Sequence, residues 1–326
     1  MYSPSHQISA ISIQTRTKPR YWTQILPSAI ASVAVVLIAN VSHAFSLTRP
    51  QIDLFVLAGQ SNMVGFGSNL ADLPPALQGE QEDVLWYDKS NEWMTLSAPT
   101  EPLPFSNAKF PSSPAIAAGL GFGPEISLGK RLQQELNQPV ALVKYASNGA
   151  NLTQDWQETG LFYQPLIERV GNAIADLSAR GYDVQVSGFF WLQGESDTRN
   201  LSWAQSYQSN LEDFIARVRS DLDRDDLPFI LGLIPLTSDQ LTNRGTFPYA
   251  DIVRSAQLEV ARSHDNVTAV ETLDLPRAND NLHLNSQGLI LAGDRMAAAY
   301  VDIPEPSFSV LFVVGGFVLM GMKRKK

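Results

Sequence analysis

Two short segments far apart in the chain contain a serine, a histidine and an aspartate placed where they could take part in a reaction. Ala58-Gly59-Gln60-Ser61-Asn62-Met63 follows an apolar run directly, and a Ser preceded by Gly at a strand-to-loop turn has room to expose its hydroxyl and its backbone N–H. Asp280-Asn281-Leu282-His283 lies near the other end, just before Asn285-Ser286 and an apolar helical stretch. One turn of backbone between an acid and a His lets the carboxylate orient the imidazole, whose other nitrogen then faces a nucleophile from elsewhere. A neutral serine is a poor nucleophile, so it needs a base to take its proton and an acid to hold that base. Ser61, His283 and Asp280 are the candidates. Taken singly, each also fits a plainer role, as a capping Ser or a surface Asp–His pair.

Acyl transfer also needs preorganised donors for the oxyanion. Trp191-Leu192-Gln193-Gly194-Glu195-Ser196-Asp197 offers the Gln193 amide, and Ala146-Ser147-Asn148-Gly149-Ala150 offers a backbone N–H from Gly149 or Asn148. Glu195 is suited to bracing the His, bonding the Gln193 loop or contacting sugar hydroxyls, and the sequence does not choose among these. Gln60 and Asn62, flanking Ser61, are candidate substrate contacts. Trp156 reads equally as a sugar platform and as a loop anchor.

These residues must be positioned by a scaffold. Five apolar runs read as buried strands: Ile52–Leu57, Val140–Lys144, Val186–Leu192, Phe229–Ile234 and Val267–Glu271. Between them lie segments with apolar residues at three- and four-residue steps. These are Pro124–Leu136, Leu161–Leu177, Trp203–Leu222, Ile252–Ser263 and Gly288–Tyr300. Strand and helix in alternation predict a three-layer α/β/α sandwich with a five-stranded parallel sheet. In such sheets ligands bind at the carboxyl ends of the strands, which is where Ser61, Gln193 and the Asp280–His283 pair fall. The stretch 65–120 has no sustained period and reads as a functional loop. Its Trp86, Tyr87 and Trp93 suit sugar stacking and core plugging equally.

Composition narrows the chemistry. The 326 residues carry a net charge of −9, which argues against nucleic acid as a partner. With no Cys, disulfides, thiolate nucleophiles and Cys-ligated metals are excluded. What remains is chemistry by Ser, His, Asp, Glu or amides, and the expected activity of the Ser–His–Asp set is metal-independent, with no cofactor.

The blocks Gly59–Met63, Trp191–Asp197 and Asp280–His283, with Gly121-Phe122-Gly123-Pro124-Glu125 and Ala146–Gly149 between them, are similar to those of the sialate O-acetylesterase-like (SASA) domain. This is the branch of SGNH hydrolases also called carbohydrate esterase family six, which includes acetylxylan esterases. The resemblance spans roughly residues 52–300 in the family's order and implies a flavodoxin-like fold. It implies a serine esterase that removes O-acetyl groups from carbohydrates of acetylxylan or sialic acid type through an acetyl-enzyme on Ser61. It further implies His283 as base, Asp280 as its orienter, and Ser61, Gly149 and Gln193 as oxyanion hole, with Glu195 as an additional acid. The chain departs from the family at Ser147-Asn148-Gly149-Ala150, where Asn148 replaces a Gly. Two other classes remain open: a non-catalytic surface glycan-binding or matrix protein, and a lipid or thioester hydrolase.

The two ends read as targeting segments. Residues 1–44 contain Arg16, Lys18 and Arg20, then an apolar run to Val41 and Ser42-His43-Ala44, the pattern of a signal peptide cleaved after Ala44. Residues 304–326 join Pro304-Glu305-Pro306 to uncharged Phe308–Met322 and a Lys323-Arg324-Lys325-Lys326 tail. This resembles the PEP-CTERM sorting signal of Gram-negative bacteria, and implies membrane insertion before processing, an exosortase-type protease as partner, and delivery to the cell surface, outer membrane or extracellular matrix. The body left between them, residues 45–303, holds 17 basic and 32 acidic side chains, a net −15.

Overall fold

A computed structural model describes residues 49–100, 117–234 and 247–303. The leader expected at 1–44 and the tail expected at 304–326 lie outside the described residues.

The sheet grows from the apolar runs. β1 (Gln51–Gly59), β4 (Val140–Ala146), β5 (Asp183–Leu192), β6 (Phe229–Gly232) and β7 (Val267–Val270) coincide with the five expected strands. They are parallel and lie in the order β4-β1-β5-β6-β7, the doubly wound order of flavodoxin-like folds. Among the described residues the sheet has seven strands rather than five, because β2 (Gln81–Tyr87) and β3 (Trp93–Leu96) extend it beyond β4. β2 runs parallel to β4, and β3 returns antiparallel to β2. This hairpin occupies part of the stretch expected to be loop.

Side chains alternate along β1. Leu54, Val56 and Ala58 enter one core layer, while Phe55 and Leu57 enter the other. The first layer is covered by α3 (Tyr163–Ala179), α4 (Leu201–Asp221) and α5 (Ala250–Ser263), and the second by α2 (Glu125–Leu136) and α6 (Ser286–Val301). Helices on both faces complete the expected three layers. Trp86, Tyr87 and Trp93 are buried in these cores, so of their two readings the packing role holds. Arg169 of α3 fastens the hairpin. Its guanidinium donates to Tyr87 O at 2.6 Å, Asp88 O at 2.7 Å, Asn91 Oδ1 at 2.7 Å and Lys144 O at 3.2 Å.

Candidate active site

The turn after β1 is forced by a close approach. A Cβ at Gly59 would stand 2.2 Å from Leu192 O, so only glycine lets β1 end against β5 there. Gln60 N then donates to Leu192 O at 3.0 Å, and Ser61 opens the four-residue helix α1 (Ser61–Val64). β4 and α2 join through a buried ion pair, Lys144 Nζ to Glu125 Oε2 at 2.7 Å. Glu125 Oε1 accepts from Gly123 N at 2.7 Å and from the Thr100 hydroxyl. A Cβ at Gly123 would meet Met63 O at 2.7 Å and Lys144 Nζ at 2.9 Å, so glycine there leaves room for both.

The segment before α6 delivers the other two groups. Asp280 Oδ1 accepts from Leu282 N at 3.0 Å and His283 N at 2.9 Å, which folds the four residues into a tight turn. Asp280 Oδ2 faces His283 Nδ1 at 2.6 Å, and His283 Nε2 faces Ser61 Oγ at 2.9 Å. Partial burial pushes the Asp280 carboxyl up, but the hydrogen bonds from the imidazole and the two backbone N–H groups outweigh it and hold the group below the usual carboxylate range. Asp280 is thus kept ionised beside the ring. Phe66 stacks on the other side of the imidazole, with ring centroids 4.1 Å apart and planes at 28°. Ser61 therefore meets a His–Asp pair more than 200 positions away, and the three form one hydrogen-bonded relay.

The relay opens into a pocket of about 300 Å³, at the small end of ligand sites. Asn148 and Gly149 form part of its wall. The left-handed φ of +69° falls on Gly149, so Asn148 at the family's Gly position needs no such conformation. The N–H groups of Ser61 and Gly149 donate to no acceptor among the described residues, which leaves both able to receive an oxyanion.

Several expected site residues have other tasks. Gln193 is fully buried, and its Nε2 donates to Asp197 Oδ2 at 2.6 Å, Ala150 O at 3.1 Å and Gln60 Oε1 at 3.2 Å. An amide so committed has no hydrogen left for an oxyanion, so Gln193 locks its loop instead. Gln60 borders the pocket, but its Oε1 also accepts from Gly194 N and Ser196 N, each at 3.3 Å. Asn62 is fully buried rather than substrate-facing. It takes Leu284 N on Oδ1 at 2.8 Å and donates Nδ2 to Glu195 Oε1 at 2.7 Å, so it joins the Ser, His and Glu segments. Trp156 is 0 % exposed and packs edge-on against Trp191 and Phe214. It is a core anchor, not a sugar platform. Glu195 lines the pocket. Sequence reasoning missed Phe66, Leu282 and Arg199, which also line it. Phe66 follows Ser61 by five residues, a proximity that could have marked it, whereas nothing local marks Arg199.

Known proteins resemble this chain over most of its described length. A family model described as carbohydrate esterase, sialic acid-specific acetylesterase, matches residues 51–302. A probable carbohydrate esterase of Arabidopsis thaliana is 28 % identical over 264 residues, covering 78 % of this chain and 92 % of that protein. Among solved structures, an Arabidopsis thaliana protein superposes with a TM-score of 0.64 at 24 % identity, over 78 % of this chain and 100 % of the other. NanS superposes with a TM-score of 0.57 at 17 % identity, over 78 % and 98 %. A carbohydrate acetylesterase of Xanthomonas citri gives 0.55 at 16 % identity, over 77 % and 56 %. At these identities the structural likeness speaks for the fold.

Proposed function

The chain belongs to the carbohydrate esterase family described as sialic acid-specific acetylesterases, and on that premise we propose that it is a serine esterase removing acetyl groups from carbohydrate hydroxyls, of acetylxylan or sialic acid type. The observation that carries the reading is the relay of Ser61, His283 and Asp280 at 2.9 and 2.6 Å within a small pocket.

His283 Nε2 takes the Ser61 proton as Oγ attacks the acetyl carbonyl, and Asp280 steadies the imidazolium that forms. The oxyanion is received by the Ser61 and Gly149 N–H groups, two donors fixed by backbone rather than by a mobile side chain. The tetrahedral intermediate collapses as the C–O bond to the sugar breaks, and His283 returns the proton to the departing alkoxide. Water, deprotonated by His283, then attacks the acetyl ester on Ser61 and releases acetate. Ser61→Ala tests the reading: it should abolish acetate release from an acetylated sugar while leaving the melting temperature near that of the parent. Undiminished turnover would overturn it.

We also infer export, with residues 1–44 as a cleaved leader, 45–303 as the esterase domain and 304–326 as a sorting tail. The basic, apolar and small-residue order of the first segment and the Pro-Glu-Pro, apolar, basic order of the last support this. Among the described residues no helix is long and apolar enough to cross a membrane. Mass spectrometry of the mature protein should find new termini near Ala44 and Pro304, and an intact chain in the cytoplasmic fraction would contradict export.

A further inference from the structure

Glu195 lines the same pocket as Ser61 and His283 but has no place in their relay. Asp280 holds His283 Nδ1 and Nε2 faces Ser61, so the imidazole has no nitrogen left for a second acid. The Glu195 side chain is only half satisfied. Oε1 accepts from Asn62 Nδ2 at 2.7 Å, whereas Oε2 is buried with no hydrogen-bond partner among the described residues. The residue is 2 % exposed. A buried polar oxygen left unpaired beside a catalytic pocket is the condition a bound ligand would relieve.

We propose that Glu195 is a substrate-binding residue whose Oε2 hydrogen-bonds a free sugar hydroxyl next to the acetylated oxygen, making the site selective for acetyl esters that have such a neighbour. The proposal rests on the esterase reading above. Burial raises the Glu195 carboxyl above the usual carboxylate range, and nearby Asp197 acts in the same direction. The opposing influences are hydrogen bonds from its own backbone N–H and Asn62, and the charge of His283. Burial prevails over them, and the oxygen that geometry leaves unpaired at the pocket is Oε2. Sugars present hydroxyls on adjacent ring carbons, so a sugar acetylated at one position can place a neighbouring oxygen within the same small pocket.

The test compares three esters: a mono-acetylated methyl glycoside with a free neighbouring hydroxyl, the same compound with that hydroxyl O-methylated, and 4-nitrophenyl acetate. The parent enzyme should prefer the free hydroxyl over the methyl ether by about tenfold or more in kcat/KM. Glu195→Ala should shrink that preference to roughly threefold or less, and Glu195→Gln, which keeps a hydrogen-bonding group of the same length, should restore most of it. Absence of the preference in the parent enzyme would overturn the proposal, and that measurement needs no variant to fold. A Glu195→Ala variant that slows all three esters equally would also overturn it, marking the residue as part of the reaction or the framework. Failure of the parent enzyme to hydrolyse any of the three esters would instead bring down the esterase reading, and the proposal with it.

Discussion

Asp280→Asn should separate the two tasks of one carboxylate. Its Oδ1 receives two backbone N–H groups, from Leu282 and His283, while Oδ2 alone addresses the imidazole. Asparagine keeps an oxygen for the backbone pair, so the turn should survive with a loss of about 1 kcal/mol or less, reflecting weaker bonds to a neutral acceptor. The amide NH₂ then faces Nδ1 and forces that nitrogen to accept. The proton moves to Nε2, the nitrogen that must take the Ser61 hydrogen. The same tautomer error lowers turnover by about 10⁴-fold in serine proteases. Asp280 is more open to solvent, with 44 % of its side chain exposed, so a loss between about 10² and 10⁴ is expected. That corresponds to about 3–5 kcal/mol of transition-state stabilisation. Asp280→Ala, which also strands the two backbone N–H groups, should cost a further ~1–3 kcal/mol of stability. Acetate release under saturating substrate, paired with thermal melts, reads both quantities. An Asn variant retaining more than about a tenth of parental turnover, or one that melts as early as the Ala variant, would refute the division of labour.

Other expectations follow from burial. Trp156→Ala should destabilise the fold by about 3–5 kcal/mol without a specific rise in KM, since the indole packs in the core; a raised KM at unchanged stability would restore the sugar-platform role. Lys144→Met should cost about 3–5 kcal/mol by leaving Glu125 as an uncompensated buried charge, and adding Glu125→Gln should recover much of it, as denaturant titration would show. Glu195 gives a pH signature. Its native pKa lies above its unfolded one, so between the two the native state holds the extra proton and stability falls as pH rises. Glu195→Gln lacks this loss, so its melting temperature relative to the parent should climb from about pH 4.5 upward. A difference independent of pH would contradict the raised carboxyl.

The strands that could be read from the sequence are those buried on both faces. Val140–Lys144 and Val186–Leu192 are nearly unbroken apolar runs because a parallel sheet covered by helices demands them. β2 escaped notice because it begins Gln81-Glu82-Asp83, with Asp83 at a φ of +64° and the pairing with β3 shifting between Gln81 and Leu85. β3 has only four residues, too few for a period to show. The relay was legible because Gly-x-Ser and Asp-x-x-His each report a local geometry, and the parallel topology brings strand ends to one rim. Gln193 was read by its chemical type, which suits an oxyanion donor. Its commitment to Asp197, Ala150 and Gln60 depends on three-dimensional neighbours that no local pattern reports. Trp156 followed the same logic, because a tryptophan in a loop carries no mark of which way it faces.

The central claim is that Ser61 becomes acetylated during turnover. Rapid acid quenching of the enzyme with excess acetylated sugar, followed by peptide mass spectrometry, should find one added acetyl group on the peptide containing Ser61, and none in the Ser61→Ala variant. Brisk acetate release with Ser61 unmodified at every quench time, and undiminished release by the Ser61→Ala variant, would contradict it.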